Sequence, residues 1–446
     1  MDGRETGAGI DADRSGHEPR GTCTSTRRNA APGPPSSLHR LLLALAPVGP
    51  GLVVMLADTD VGSVVTAAQS GAHWGFRLLW LQLLLVPVLY VVQELTVRLG
   101  VHTGKGHGEL IRKTFGARWA WISVSGLVVT CVGALITEFS GIVGVGVLFG
   151  VPPAVSLALA TAMLLGVVYT GSYVRVERVA LFLGAFEIAF VAVAIYAHPR
   201  AGVLLRQFAS VPLGDPGYLY LVAANIGAVI MPWMVFYQQS AVIDKGLGRR
   251  DLRAARWDTA IGSVVTQIVM IAIIVAAAVA LGHTHGERPT LDTVGQIYQA
   301  LSPVLGDRFG RIAFALGVLG AAMVAAIVVS LAAAWGLGEV TGYRRSLSQH
   351  PRRAPWFYVV YTVAVVAGAI TVGLATNLVA LSIAVEVLNA LLLPLVLGLL
   401  LALVLRALPH GLRPRGAYGA LVIGVIVVTS VLGIASGIIG ALLLGR

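Results

Sequence analysis

The sequence predicts an all-α integral membrane protein with eleven transmembrane helices. Three observations point there. Of the 446 residues, 57% are hydrophobic and only 12% are charged, against roughly 25% charged in soluble domains. The apolar residues fall in long continuous runs, most of them near or above the ~20 residues that a spanning helix needs. The basic residues gather in alternate connections between those runs. An ordinary soluble enzyme is excluded by the composition. An outer-membrane barrel is excluded by the continuity of the runs, because barrel strands alternate apolar and polar residues.

Residues 1–37 are rich in Gly, Arg, Ser, Pro and Asp. Such a stretch buries too little apolar surface to offset its ordering entropy, so a disordered cytoplasmic tail is expected. The first apolar run starts only near Leu41, which argues against a cleavable signal peptide. Eleven apolar segments follow, near 41–72, 76–98, 118–148, 151–171, 177–197, 217–239, 257–282, 309–340, 356–376, 378–406 and 416–444. Short amphipathic helices are expected near 106–115 and 247–256. Residues 38–446 thus form one transmembrane domain. It divides into a repeat over about 41–197, a second over about 217–406 and an extra helix over about 416–444.

Orientation follows from the basic residues. With the N-terminus in the cytoplasm, 25 of the 32 Lys and Arg fall inside and 7 outside. The alternation survives only if the segment count is right, so the split supports both. It also accounts for the net charge of +11 without nucleic acid, since basic loops face anionic lipid. The C-terminus is then outside. Cys23 and Cys131 are too few for a disulfide framework.

Two segments do not read as smooth helices. The first carries Asp58 and Asp60 at membrane depth, with Gly62 close behind. An ionised carboxylate there is costly unless paired or coordinated, and Gly62 favours unwinding. The sixth carries Ala228, Met231 and Pro232. Pro232 has no N–H to give the carbonyl four residues back, so the Ala228 carbonyl is expected to be free. The first and sixth segments hold matching positions in two five-helix halves. Paired broken helices mark an inverted-repeat transporter with its substrate site at the breaks.

Such a site offers the Asp60 carboxylate, the Ser63 hydroxyl, the Ala228 carbonyl and the Met231 thioether. The oxygens suit Mg²⁺, Ca²⁺ or Mn²⁺, and the sulfur tolerates softer transition metals.

At this point the residues resemble a known family. Asp60-Val-Gly62-Ser63 with Thr66, Gln69, Gly71 and Ala72 is similar to the D-P-G-N…T-D-x-Q-A-G-A pattern of the Nramp divalent metal transporters. The stretch from Gln93 through Arg98, Gly100, Thr103, Gly104 and Lys105 to Glu109 resembles Q-x-L-x-x-K-L-G-x-x-T-G-K…E-L. Glu138-Phe139-Ser-Gly141 resembles E-F-x-G, and Gly227-Ala228-Val-Ile-Met231-Pro232 resembles G-A-x-x-M-P-H. The likeness covers roughly 40–444. It implies a LeuT-type 5+5 inverted repeat with helices 1 and 6 broken, and Asp60, Ser63, Ala228 and Met231 as metal ligands. The downstream anchors select Asp60 over Asp58 as the family aspartate, and Asp58 becomes a vestibule candidate.

The departures carry information. Val61 and Ser63 replace the family's proline and asparagine, and the shorter Ser63 leaves room for a water on the ion. Trp233 and Gln238 stand where the family has histidines, and Leu135 where it has an aspartate. These are the family's proton-handling positions, and a relay at membrane depth needs titratable groups. The sequence is therefore closest to the Nramp-related magnesium/manganese transporter branch. Transport of Mn²⁺ or Mg²⁺ by alternating access with weak or no proton coupling is expected, since a 2+ charge gains about 4.6 kcal/mol over 100 mV.

Glu138, Trp233, Gln238, Glu386 and Asn389 are further candidates for the ion pathway or its coupling. Asn389 aligns with a family glutamine near the ion, and Glu386 lies one turn before it. Glu187 is a lone acid on the fifth segment without an assignable partner. Glu94 and Arg98 are spaced for an ion pair. His102 and His107 read as residues of a cytoplasmic surface loop.

Two alternatives remain. One is a proton-coupled Mn²⁺/Fe²⁺ transporter. The other is an amino-acid or other organic-substrate transporter of the same architecture, which Asp60 opposes by repelling a carboxylate. No H-E-x-x-H or G-x-S-x-G motif occurs, so no enzyme is expected. No cofactor, nucleic acid or obligate protein partner is expected either. The partners are divalent ions and the lipid of a cell's inner (plasma) membrane.

Overall fold

The computed structural model describes residues 49–281, 291, 294–374 and 378–444. The tail expected over 1–37 lies outside the described residues. Helices dominate, with no strand among the described residues. In chain order they are α1 (Pro50–Leu56), α2 (Val61–Trp74), α3 (Leu79–Thr103), α4 (His107–Phe115), α5 (Ala117–Leu148) and α6 (Pro153–Val168). Then come α7 (Tyr173–Gly184), α8 (Ile188–Tyr196), α9 (Ala201–Phe208), α10 (Pro216–Val229), α11 (Pro232–Asp244) and α12 (Leu252–Leu281). The last five are α13 (Val294–Leu305), α14 (Arg311–Thr341), α15 (Pro355–Leu374), α16 (Leu378–Ala407) and α17 (Gly416–Leu444).

Eight helical stretches among the described residues are long and apolar enough to cross a bilayer. One of them, Val61–Thr103, joins α2 to α3 through a 3-10 turn at Gly75–Leu78. Pro153–Val168 and Leu391–Ala407 are shorter apolar helices.

Burial sorts these helices. α14 is apolar all round and buried almost throughout from Ala313 to Val340, as a helix at the centre of a bundle must be. It packs against α5, α11 and α15. By contrast, α15 and α17 leave Trp356, Val363, Ile370, Ile423, Val427 and Val431 exposed. In water such a surface would aggregate; in a bilayer it is the lipid-facing belt.

The first broken helix is held by α12. Pro50 occupies the first helical turn, where its missing N–H costs nothing. The orphan N–H groups of Gly49, Gly51 and Leu52 donate to the Asp258 carboxylate of α12 at 2.9, 2.7 and 3.3 Å. Asp258 is thus an N-cap supplied from another helix. At the other end the Thr266 hydroxyl donates to the Met55 carbonyl. Gly49 has φ 146°, and a Cβ there would fall 1.4 Å from Glu177 Oε1. Glu177 itself pairs with Lys245 at 2.6 Å.

Several expectations need correction. The chain unwinds at Ala57–Asp60, ahead of Gly62, which sits inside α2. No separate helix covers 247–256; the chain turns until Leu252 and then runs unbroken as α12. α9 and α13 were not expected, because both are short and amphipathic rather than apolar runs. His102 lies in the last turn of α3, and His107 is buried rather than at the surface. Its ring stacks edge-on against Phe236 and its Nδ1 meets Gln239 Oε1 at 3.1 Å. The 106–115 helix is present as α4.

The Glu94–Arg98 pair forms at 2.8 Å. It belongs to a wider network than its sequence spacing suggests. Arg256 of α12 reaches Glu94 at 2.7 Å, and the Tyr418 hydroxyl of α17 donates to Glu94 at 2.8 Å.

Candidate functional site

The two interrupted helices meet at their breaks. Asp60 is the N-cap of α2, and its Oδ1 accepts the Ser63 N–H at 2.7 Å. One turn into α2, the Ser63 hydroxyl donates to the Ala228 carbonyl at 3.1 Å. α10 ends at Val229, Ile230 and Met231 are extended, and Pro232 starts α11. Proline at that position is why the helix cannot continue. Asp60, Ser63, Ala228 and Met231 are each at most 2% exposed.

The structure therefore brings Asp60, Ser63 and Ala228 into one hydrogen-bonded chain, with Met231 three residues beyond Ala228 in the sixth-segment break. One expectation is modified: the Ala228 carbonyl has lost its helical partner but takes the Ser63 hydroxyl in its place. A carbonyl has two lone pairs and a carboxylate about four acceptor sites. These hydrogen bonds leave acceptor capacity for a cation.

The electrostatics at the break are balanced by carboxylates. The N-terminus of α2 carries partial positive charge, which opposes a cation. Asp60 covers the Ser63 N–H, and Glu138 Oε2 of α5 accepts the Val61 N–H at 3.3 Å. Glu138 reaches that position because α5 comes close to α2. A Cβ on Gly141 would sit 2.3 Å from Val61 Cγ2. The Glu-Phe-Ser-Gly stretch thus has a geometric meaning: Gly141 admits Val61, and Glu138, one turn earlier, caps it.

The remaining candidates fall as follows. Asp58 is buried in the same hinge, its N–H donating to the Met55 carbonyl at 3.2 Å. Trp233 is fully buried in the first turn of α11, and its indole N–H has no hydrogen-bond partner among the described residues. Gln238 is farther along α11 and donates to the Thr259 hydroxyl of α12 at 2.8 Å; the contacts described do not tie it to Asp60. Asn389 of α16 is 1% exposed, and neither atom of its amide has a hydrogen-bond partner among the described residues. A buried polar pair left open is costly. The Glu386 side chain lies outside the described residues.

Two features escaped the sequence reading. Gln82 of α3 donates to Asn225 of α10 at 2.7 Å, and Asn225 donates to Ser70 of α2 at 2.8 Å. Asn225 lies one turn before Ala228, and Ser70 two turns after Ser63, so the seam extends from the break along both helices. The spacing was visible, but nothing paired the three residues until the helices were packed. The other is Glu187, whose partner is the Thr59 hydroxyl in the hinge. No group of three or more His, Cys, Asp or Glu among the described residues is placed to hold a metal. Any cation at the break would depend on neutral oxygens and sulfur as well as Asp60.

Comparison with known proteins agrees with this architecture. A divalent metal cation transporter MntH of Klebsiella pneumoniae is 27% identical over 297 residues, which are 65% of this chain and 70% of that protein. The solved manganese transporter of Eremococcus coleocola superposes with a TM-score of 0.73 at 19% identity, covering 90% of this chain and 88% of that one. MhsT in complex with L-phenylalanine superposes with a TM-score of 0.58 at 15% identity, covering 89% and 98%. At these identities the two structures speak for the fold, a LeuT-type helical bundle. The profile of the family described as natural resistance-associated macrophage protein-like matches residues 51–438, nearly the whole described bundle. The chain belongs to the Nramp family.

Proposed function

We propose that this protein is a transporter, not an enzyme, and moves a divalent cation, Mn²⁺ or Mg²⁺, inward across the cytoplasmic membrane by alternating access. The carrying observation is the crossing of the two breaks, where Asp60, Ser63 and Ala228 join within hydrogen-bond distance. The ligands are the Asp60 carboxylate, the Ser63 hydroxyl, the Ala228 carbonyl and the Met231 thioether. The names of relatives such as MntH support a divalent metal. In this reading the chain crosses the membrane eleven times, with its N-terminus in the cytoplasm and its C-terminus outside.

Coupling to protons is weak or absent in this reading. Trp233, Gln238 and Leu135 cannot titrate at the positions where the family has histidines and an aspartate. Asn389, at the position of a family glutamine near the ion, lines the ion pathway in this reading. The test is uptake into proteoliposomes under a negative-inside potential, with dyes for metal and for internal pH. Metal entry with a flat internal pH supports the reading. Stoichiometric acidification restores the proton-coupled alternative.

The organic-substrate alternative has one structural neighbour in its favour, since MhsT was solved with L-phenylalanine. It needs free half-helix N–H groups to hold a carboxylate. Here Asp60 and Glu138 occupy those groups on α2, which favours a cation.

A further inference from the structure

Glu187 stands outside the proposed ligand set and outside the family motifs. It ends a 3-10 turn, Ala185–Glu187, that interrupts the fifth segment between α7 and α8. Its side chain is fully buried. Oε2 is in hydrogen-bond contact with the Thr59 hydroxyl, and Oε1 has no partner among the described residues. Thr59 belongs to the hinge between α1 and α2. Its hydroxyl also lies 2.8 Å from the carbonyl of Leu56, the last residue of α1.

A hydroxyl has one hydrogen to give, so Thr59 cannot donate to both neighbours. When Glu187 carries a proton, its O–H donates to Thr59 Oγ1, and the Thr59 hydrogen stays on the Leu56 carbonyl. When Glu187 is ionised it only accepts, and it takes the Thr59 hydrogen. The Leu56 carbonyl then keeps the longer bond from the Thr59 N–H, at 3.3 Å.

Ionisation also places a third carboxylate by the hinge, where Asp58 and Asp60 flank Thr59 in the chain. The packed elements add no compensating charge. α14 has no titratable side chain from Ile312 to Gly338, α12 none from Thr259 to Leu281, and α8 none before Tyr196. On α7, Tyr173, Arg175, Glu177 and Arg178 lie at least nine residues earlier.

We propose that Glu187 is a protonation-dependent fastening of the first broken helix: protonated, it leaves the Thr59 hydroxyl to tie down the end of α1, and ionised, it takes that hydroxyl away and loosens the end, which the Thr59 N–H and the Thr266 hydroxyl still hold. Metal movement then responds to pH through the hinge without a proton travelling with each ion. The link to transport rests on the function proposed above, but the hinge can be measured without any cargo.

The experiment places a reporter Leu52→Cys on α1, with Cys23→Ser, in nanodiscs. Its labelling by a polar maleimide is followed across an acid-to-neutral series and corrected for the reagent's own pH dependence on a free thiol. The expected result is labelling that quickens about 2- to 10-fold as pH rises, the span of one net hydrogen bond. Glu187→Gln, whose amide can donate to Thr59 Oγ1 at every pH, stays slow throughout. Thr59→Val loses the pH dependence, and Thr59→Ser keeps it. A flat parent profile, or one unchanged by both Glu187→Gln and Thr59→Val, overturns the proposal. Normal hinge behaviour with no metal uptake counts against the transport reading alone.

Discussion

Ser63 donates its hydroxyl to the Ala228 carbonyl across 3.1 Å, joining two helix breaks 165 residues apart in the chain. Proline makes that carbonyl available, and the Asp60 N-cap sets the turn that presents Ser63. Sequence, local structure and tertiary packing converge on one small group of oxygens.

Met231 is the soft donor of the proposed ligand set. Met231→Leu keeps the volume and removes the sulfur. Mn²⁺ uptake is expected to fall about 10-fold, about 1.4 kcal/mol, while Mg²⁺ uptake changes little, because Mg²⁺ gains little from sulfur. Competition between the two ions in proteoliposomes measures the ratio. An equal loss for both ions removes Met231 from the ligand set.

Gly141 and Val61 form a fitted pair. Gly141→Ala is expected to cost about 1–3 kcal/mol by overpacking and to push Glu138 off the Val61 N–H. Adding Val61→Ala restores most of it, because the two changes share one contact. Thermal unfolding in detergent, run as a double-mutant cycle, checks this. Simple additivity means that the pair is not in contact.

The seam of Gln82, Asn225 and Ser70 is worth most when complete. Asn225→Val strands two buried partners, at about 1–3 kcal/mol. The triple variant Gln82→Leu, Asn225→Val and Ser70→Ala is expected to be milder, since no polar group is left open. Melting temperatures of the single and triple variants decide it.

His107 lies outside the spans, and burial pushes its imidazole down to about 4, against a weaker opposing effect of Gln239. The folded protein thus resists a proton that the unfolded chain accepts near 6.5. Its stabilising contribution is whole above 6.5 and drains away as pH falls toward 4. His107→Gln flattens that acid limb in a melting-temperature profile. An unchanged limb assigns the acid sensitivity to other groups.

Much of this was legible in the sequence. Continuous apolar runs announce spans, and Pro232 and Asp60 announce breaks, because the backbone rules behind them are local. Ser63 and Ala228 were readable through family spacing. Gly62 misled, since its freedom permits unwinding without requiring it, and the N-cap at Asp60 fixed the helix start instead. Asp258, Glu187 and Asn225 were hidden for another reason. Their partners, at Gly51, Thr59 and Ser70, are remote in sequence, and only packing brings them together. His107 looked like a surface residue because its loop is polar, yet Phe236 and Gln239 cover it.

In the proposed function the Asp60 charge holds the transported cation. Asp60→Ala removes both that charge and the helix cap, whereas Asp60→Asn removes the charge and keeps a good cap. The direct measurement is Mn²⁺ and Mg²⁺ uptake into proteoliposomes for the parent and both variants. Both ions are expected to enter with the parent, and Asp60→Asn is expected to be as inactive as Asp60→Ala. Parent-like uptake by Asp60→Asn contradicts it, and reduces Asp60 to a structural cap.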